Sequence, residues 1–163
     1  VSDLVLRIDD RLIHGQVTAG WVEPLGFERI VLVNEAVAAD RVEREIYSAA
    51  VPAGVELVVL PVAGAVAALN SLAGKRTICL VAGAKDALGL VQQGIGVREV
   101  NVGGIHGGPG RREFLPYVFL TDEEVAVCRS VAARGVKLEA RMLPGSEAHD
   151  LAGLLEREFR GGS

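Results

Sequence analysis

Cysteine is scarce: Cys79 and Cys128 stand far apart, with no CxxC pair and no even framework of the kind that staples secreted domains. Cys79 lies inside the apolar run Thr77–Val81, where a thiol behaves as a small buried hydrophobe. Basic charge is not in excess either. Seventeen Lys and Arg against 21 Asp and Glu leave a formal net charge of −4, which argues against nucleic acid as the main partner. Long apolar runs are missing too. The richest segment, Val55–Leu69, is broken by Glu56, Pro61 and Gly64 and falls short of the roughly 20 residues a membrane-spanning helix needs. No basic stretch followed by an apolar run and a cleavage site is visible, so the cytoplasm is the expected location. Three histidines and two cysteines lack metal-ligand spacing, and neither a metal nor a cofactor is expected.

What the chain does contain is a large apolar fraction. Half of its 163 residues are hydrophobic and 23% are charged, which excludes wholesale disorder and suits one domain spanning residues 1–163. Short β-branched runs alternate with helical patterns throughout. The expected strands are Leu4–Ile8, Arg29–Val33, Glu56–Leu60, Thr77–Val81, Glu99–Val102, Tyr117–Leu120 and Val136–Ala140. Several are apolar almost end to end, as strands covered on both faces are.

Helix signals fill the intervals. Asp40 with Glu43 reads as a variant capping box ahead of the stripe Val42, Ile46, Ala49 and Ala50. Thr121 with Glu124 repeats the device before Val125, Cys128, Val131 and Ala132, with a stop at Gly135. Two further stripes, Val62–Leu72 and Ala84–Val91, end at Gly74 and Gly94, and Leu151, Leu154 and Leu155 mark a final helix. The tail Gly161–Ser163 is expected to fray. The alternation implies βαβ units and an α/β fold: an open, mostly parallel twisted sheet of about seven strands with helices on both faces. In such a sheet the functional loops follow the carboxyl ends of the strands.

The first of those loops holds the chemistry. Arg7 to Val17, RIDDRLIHGQV, gathers Asp9, Asp10, Arg11, His14 and Gly15 within seven residues. A free imidazole titrates near a pKa of about 6.5 and offers a nucleophilic nitrogen at neutral pH. Arg11 supplies a planar fork that matches phosphate oxygens. Gly15 permits close backbone approach, and a helix starting near Ile13 would aim N–H groups at an anion. Asp9 or Asp10 could orient the second ring nitrogen and set the tautomer. Together these parts make a phosphohistidine site. By local chemistry alone a lone histidine at a strand–helix junction is more often a polar turn residue, and paired aspartates there are often helix caps. Spacing does not choose between the readings.

The segment RIDDRLIHGQV followed by Trp21 resembles the phosphorylation loop of the IIB component of the mannose/fructose/sorbose family of the bacterial phosphotransferase system. The resemblance extends through IVLVNE at Ile30–Glu35, NVGGIH at Asn101–His106, FLTDEE at Phe119–Glu124 and LEARMLP at Leu138–Pro144. It implies that His14 is phosphorylated by a phosphohistidine of a partner IIA protein. The phosphoryl group then passes to a sugar bound by a membrane IIC/IID complex. It also implies that Arg11 clamps the phosphate. A regulatory phosphorylation sensor without sugar transport is the alternative.

A second loop, GGIHGGPGRR at Gly103–Arg112, matches neither a P-loop nor a dinucleotide fingerprint. Its continuation past NVGG is richer in glycine than the family pattern, which leaves the role of His106 open. Arg111 and Arg112 are read as a docking patch for an acidic partner. His149 reads as a surface residue and Trp21 as core packing. A receiver domain is excluded, because the strand Glu56–Leu60 runs into Pro61 where that fold places its phosphoacceptor aspartate. A nucleotide-binding module is weakened by the missing glycine spacings.

Overall fold

The structure, a computed structural model, describes residues 3–72 and 74–161. The ends of the tail expected to fray, Gly162 and Ser163, lie outside the described residues. Seven strands form one sheet in the order β3-β2-β4-β1-β5-β8-β9. They are β1 (Leu4–Asp9), β2 (Arg29–Val33), β3 (Glu56–Leu60), β4 (Thr77–Val81), β5 (Glu99–Gly104), β8 (Lys137–Ala140) and the two-residue β9 (His149–Asp150). All pairings are parallel except the last, where β9 runs against β8. The remaining strands, β6 (Arg112–Leu115) and β7 (Val118–Leu120), form a separate antiparallel ribbon. The expected strand Tyr117–Leu120 therefore stands outside the main sheet, and His149 belongs to its edge. The ribbon forms because residues 112–115 and 118–120 are joined by a tight turn and pair locally.

Strand parity divides the interior in two. Leu6 and Ile8, Cys79 and Val81, Val100 and Val102, and Leu138 and Ala140 face one core. It is covered by α5 (Ala65–Ser71), α6 (Ala84–Gln92), α7 (Asp122–Ala133) and α8 (Leu151–Gly161). The opposite face of β2 and β4 packs Ile30, Leu32, Ile78 and Leu80 against Leu12, Ile13, Val17, Trp21, Val22 and Phe27. Complete burial of β2 and β4 on both faces explains why their sequences read as unbroken apolar runs.

The helix that covers the second face starts just past β1. It runs as α1 (Gly15–Val17), a π-helical turn (Thr18–Val22) and α2 (Glu23–Leu25). Pro24 explains the widened turn, because it has no N–H for the Gly20 carbonyl and its ring crowds that oxygen. Gly20 lets the helix approach the chain after β8, where an added Cβ would meet Leu143 Cδ2 at 2.5 Å.

Next come α3 (Glu35–Ala39), capped by Asn34, and α4 (Arg41–Ala50), capped by Asp40. Asp40 accepts from the N–H groups of Val42 and Glu43, so the cap read from the sequence is present. The stripe behind it does not reach the core: Val42 is 64% and Ile46 62% exposed. The shorter α3 buries Val37, whereas on α4 it is Tyr47, half-buried, that packs against the second core. The second capping box is complete, with the Thr121 hydroxyl accepting from Glu124 N–H and the Glu124 carboxylate from Thr121 N–H. Among the described residues no helix is long and apolar enough to cross a membrane.

Candidate active site at the end of the first strand

The connection leaving β1 and the one leaving β5 run to opposite sides of the sheet. The crevice beyond their carboxyl ends is the switch point where open α/β sheets place their ligands. The chain there turns sharply. Leu12 N–H closes a turn on the Asp9 carbonyl at 2.9 Å, and Leu12 takes φ 61°, the left-handed region, as the one non-glycine residue to do so among those described. That conformation costs about 1–2 kcal/mol in a residue with a Cβ. Burial of the Leu12 side chain beside Ile13 and Val17 offsets it. The anchor holds the loop so that His14 becomes the extended residue ahead of α1, and its side chain makes no capping bond.

The His14 ring is instead turned onto Asp9. Asp9 Oδ2 accepts from His14 Nε2 at 2.8 Å, and the carboxylate is completely buried while the ring keeps some access to solvent. The other oxygen, Oδ1, accepts from Arg11 N–H at 3.1 Å and has Arg11 Nε at 3.7 Å. Asp10 points elsewhere. Its two oxygens accept from His106 N–H at 2.8 Å and His106 Nδ1 at 2.6 Å, which ties the first loop to the glycine-rich loop after β5. Of the two acids left open by the sequence, Asp9 meets the histidine and Asp10 does not. Arg11 is 45% exposed, and its Nη2 donates to Gln16 Oε1 at 3.1 Å. Gly15 has open space around it.

Arg111 and Arg112 are engaged within the chain. Arg111 makes a two-pronged contact with Glu124 at 3.0 and 3.2 Å and donates to the His106 carbonyl. Arg112 pairs with Asp122 at 3.3 Å and Glu158 at 3.7 Å. Burial pushes the Glu124 carboxyl up, but the Thr121 N–H and Arg111 outweigh it and leave the group below its ordinary value.

The largest completely buried side chain of the site is Arg7, which the loop motif alone does not single out. Its Nη2 donates to Asp9 Oδ2 at 3.2 Å and to Gln16 Oε1 at 3.4 Å. Its Nη1 donates to Asn101 Oδ1 at 2.6 Å and to the Arg141 carbonyl at 3.2 Å. The guanidinium lies 4.8 Å from the centre of the Trp21 ring, whose own Nε1 donates to the Met142 carbonyl at 2.8 Å. Trp21 is thus buried, as read, and also carries a cation on its face. Burial lowers the Arg7 guanidinium from its usual value and Asp9 works in the opposite sense. An arginine so placed still carries its charge at neutral pH. The available signal was parity: Arg7 and Asp9 alternate with Leu6 and Ile8, so both point to the face away from the larger core. Asn101 stands opposite Arg7 on the neighbouring strand.

These features define a doubly wound domain with a carboxylate-oriented histidine at its switch point, a class suited to carrying a transferable group. The family model "PTS system sorbose subfamily IIB component" matches residues 4–161, and the chain belongs to that family. It is 33% identical to the sorbose-specific EIIB component of Klebsiella pneumoniae, over 84% of this chain and 85% of that one. It is 35% identical to the mannose-specific EIIAB component of Escherichia coli strain K12 over 83% of its own length, but spans only 42% of that longer protein. The crystal structure of the IIBSor domain of the Klebsiella pneumoniae sorbose permease superposes with a TM-score of 0.87 at 29% identity, covering 94% of this chain and 96% of that one. The likeness holds for the mostly parallel sheet and its helices together. As a IIB component the chain serves phosphoryl transfer to sugar during uptake by the phosphotransferase system, alongside IIA and IIC/IID proteins.

Proposed function

We propose that the chain is one cytoplasmic phosphocarrier domain in which His14 takes a phosphoryl group on Nδ1 from a IIA phosphohistidine. It then yields the group to a sugar held by the IIC/IID permease. The observation that carries this reading is the 2.8 Å contact between Asp9 and His14 Nε2. It engages one ring nitrogen and leaves the lone pair on the other, Nδ1, for attack on phosphorus.

Phosphoryl transfer asks mainly for positioning and charge stabilisation. Arg11, exposed, sharing Asp9 with the ring and oriented by Gln16, is the clamp for the equatorial oxygens. The unobstructed backbone at Gly15 lets a phosphate come close. Asp10 acts at one remove, holding the two loops in register through His106. An acidic partner docking at Arg111 and Arg112 would compete with Glu124, Asp122 and Glu158 for them. The residues call for no cofactor.

The test is incubation with phosphoenolpyruvate and the upstream phosphocarriers, followed by mapping of the modified residue. Acid-labile, base-stable phosphate on His14 and none on a His14→Ala protein supports the reading. Phosphate that still appears on the His14→Ala protein would sink it.

A further inference from the structure

We propose that Arg7 is the positioning residue that lets Asp9 fix the tautomer of His14 without handing the ring a second proton; the inference rests on the phosphohistidine reading above. Asp9 Oδ2 is shared by two donors, His14 Nε2 at 2.8 Å and Arg7 Nη2 at 3.2 Å. A buried carboxylate facing an imidazole alone draws a proton onto it, because the imidazolium is then its nearest counter-charge. Here a permanent, desolvated cation already fills that role. The ring has only to donate an N–H, and Nδ1 keeps its lone pair.

The surroundings hold the cation in this task. Asn101 Oδ1, the Arg141 carbonyl, Gln16 Oε1 and the Trp21 face fix the guanidinium on all sides except Nε, which is buried without a hydrogen-bond partner among the described residues. The Arg7 charge is faced by Asp9, by Arg11 on the same loop and by Tyr117 from the chain before β7. Arg141, just past β8, is itself tied to Glu139 on that strand at 2.9 Å. Gln16 accepts from both Arg7 and Arg11, so the buried guanidinium also sets the exposed one.

The transfer step balances in this frame. The Nδ1 lone pair forms the N–P bond as the donor's N–P bond breaks. The donor ring leaves neutral, keeping the N–H on its other nitrogen. The His14 ring takes up the positive charge, with its Nε2–H held against Asp9. Arg7 tempers that hold, so the phosphoryl group can be passed on.

The experiment pairs nitrogen NMR of the His14 ring in the unphosphorylated protein with pH profiles of phosphoryl acceptance, for wild type, Arg7→Met, Arg7→Lys and Asn101→Ala. In wild type the ring is expected as the Nε2–H tautomer. In Arg7→Met the ring should hold its second proton to higher pH and the acid limb of acceptance should move with it. Acceptance at pH 7 should drop roughly ten- to a hundredfold, the loss seen when outer partners of metal-bound histidines are removed. Arg7→Lys should recover part of the loss. Should Arg7→Met fail to fold, Asn101→Ala, which frees one anchor and keeps the charge, should show a smaller shift in the same direction. An unchanged tautomer and an unmoved acid limb in the folded variants would overturn the assignment, whatever their stability. Wild-type protein that takes no phosphate on His14 would instead remove the reading beneath it, a result the ring titration does not share.

Discussion

Gly103 and Arg7 occupy one space: a Cβ on Gly103 would fall inside the Arg7 guanidinium. The glycine sits on the strand beside Arg7, two residues past Asn101, and its missing side chain makes room for the cation. Gly103→Ala should therefore displace Arg7 and strain the sheet. Overpacking of this kind costs about 1–3 kcal/mol. Urea unfolding together with phosphoryl acceptance checks it, and an alanine variant with wild-type stability and rate would contradict the packing described.

Asp9→Asn should cost more. It leaves the buried Arg7 charge without its counter-ion, and breaking one side of a buried pair costs roughly 3–5 kcal/mol. The same variant should slow phosphoryl acceptance, since an amide can present its N–H₂ to the ring and reverse the tautomer. Denaturation midpoints and acceptance rates at one pH report the two effects separately.

The Thr121–Glu124 box predicts a pH dependence of known sign. Glu124 sits below its ordinary value in the folded protein. Its contribution is complete above the unfolded glutamate value of about 4.3 and fades as pH falls through the lower folded value. Arg111→Ala should destabilise at pH 7 and progressively less in the acid range, as read by thermal melts across pH. Thr121→Ala should cost about 1 kcal/mol through the lost cap.

Both thiols should be inert. Burial pushes Cys79 and Cys128 up to about 12, and a thiolate is the reactive form. A thiol reagent at pH 8 should modify neither until denaturant is added.

On α4 the expectation is the reverse of the usual core rule. Val42→Ser and Ile46→Ser should shift stability by no more than about 0.5 kcal/mol, because neither side chain is buried. A large loss in chemical denaturation would show that the helix packs where the structure leaves it open.

Much of this fold is legible in the sequence because burial on both faces writes itself as continuous apolar runs. Arg29–Val33 and Thr77–Val81, buried throughout, match their strands residue for residue; Glu56–Leu60 matches as well, although β3 is a half-buried edge strand, because its LVVL run is apolar and partly β-branched. The ribbon strand Arg112–Leu115 was illegible because its residues are half-exposed and follow a glycine-rich loop. The two-residue β9 is too short for any periodicity. The stripe on α4 misleads because amphipathic spacing tells which residues share a face, not whether anything lies against it. At the site, the proximity of Asp9 and His14 lay within the alternatives the loop offered. Arg7 did not stand out, because a charge inside an apolar strand shows its meaning only once Asn101, Gly103 and Trp21 are folded around it.

Trp21 donates across 121 positions to the Met142 carbonyl, and Arg7 reaches further still, across 134, to the Arg141 carbonyl. The residues proposed to react precede β2, whereas two carbonyls that brace Arg7 and Trp21, those of Arg141 and Met142, follow β8. A nascent chain that stops short of residue 141 would carry the RIDDRLIHGQV loop without these two carbonyls behind it. On the proposed phosphocarrier reading, competence to receive phosphate should thus arrive only after residues 141 and 142 have emerged.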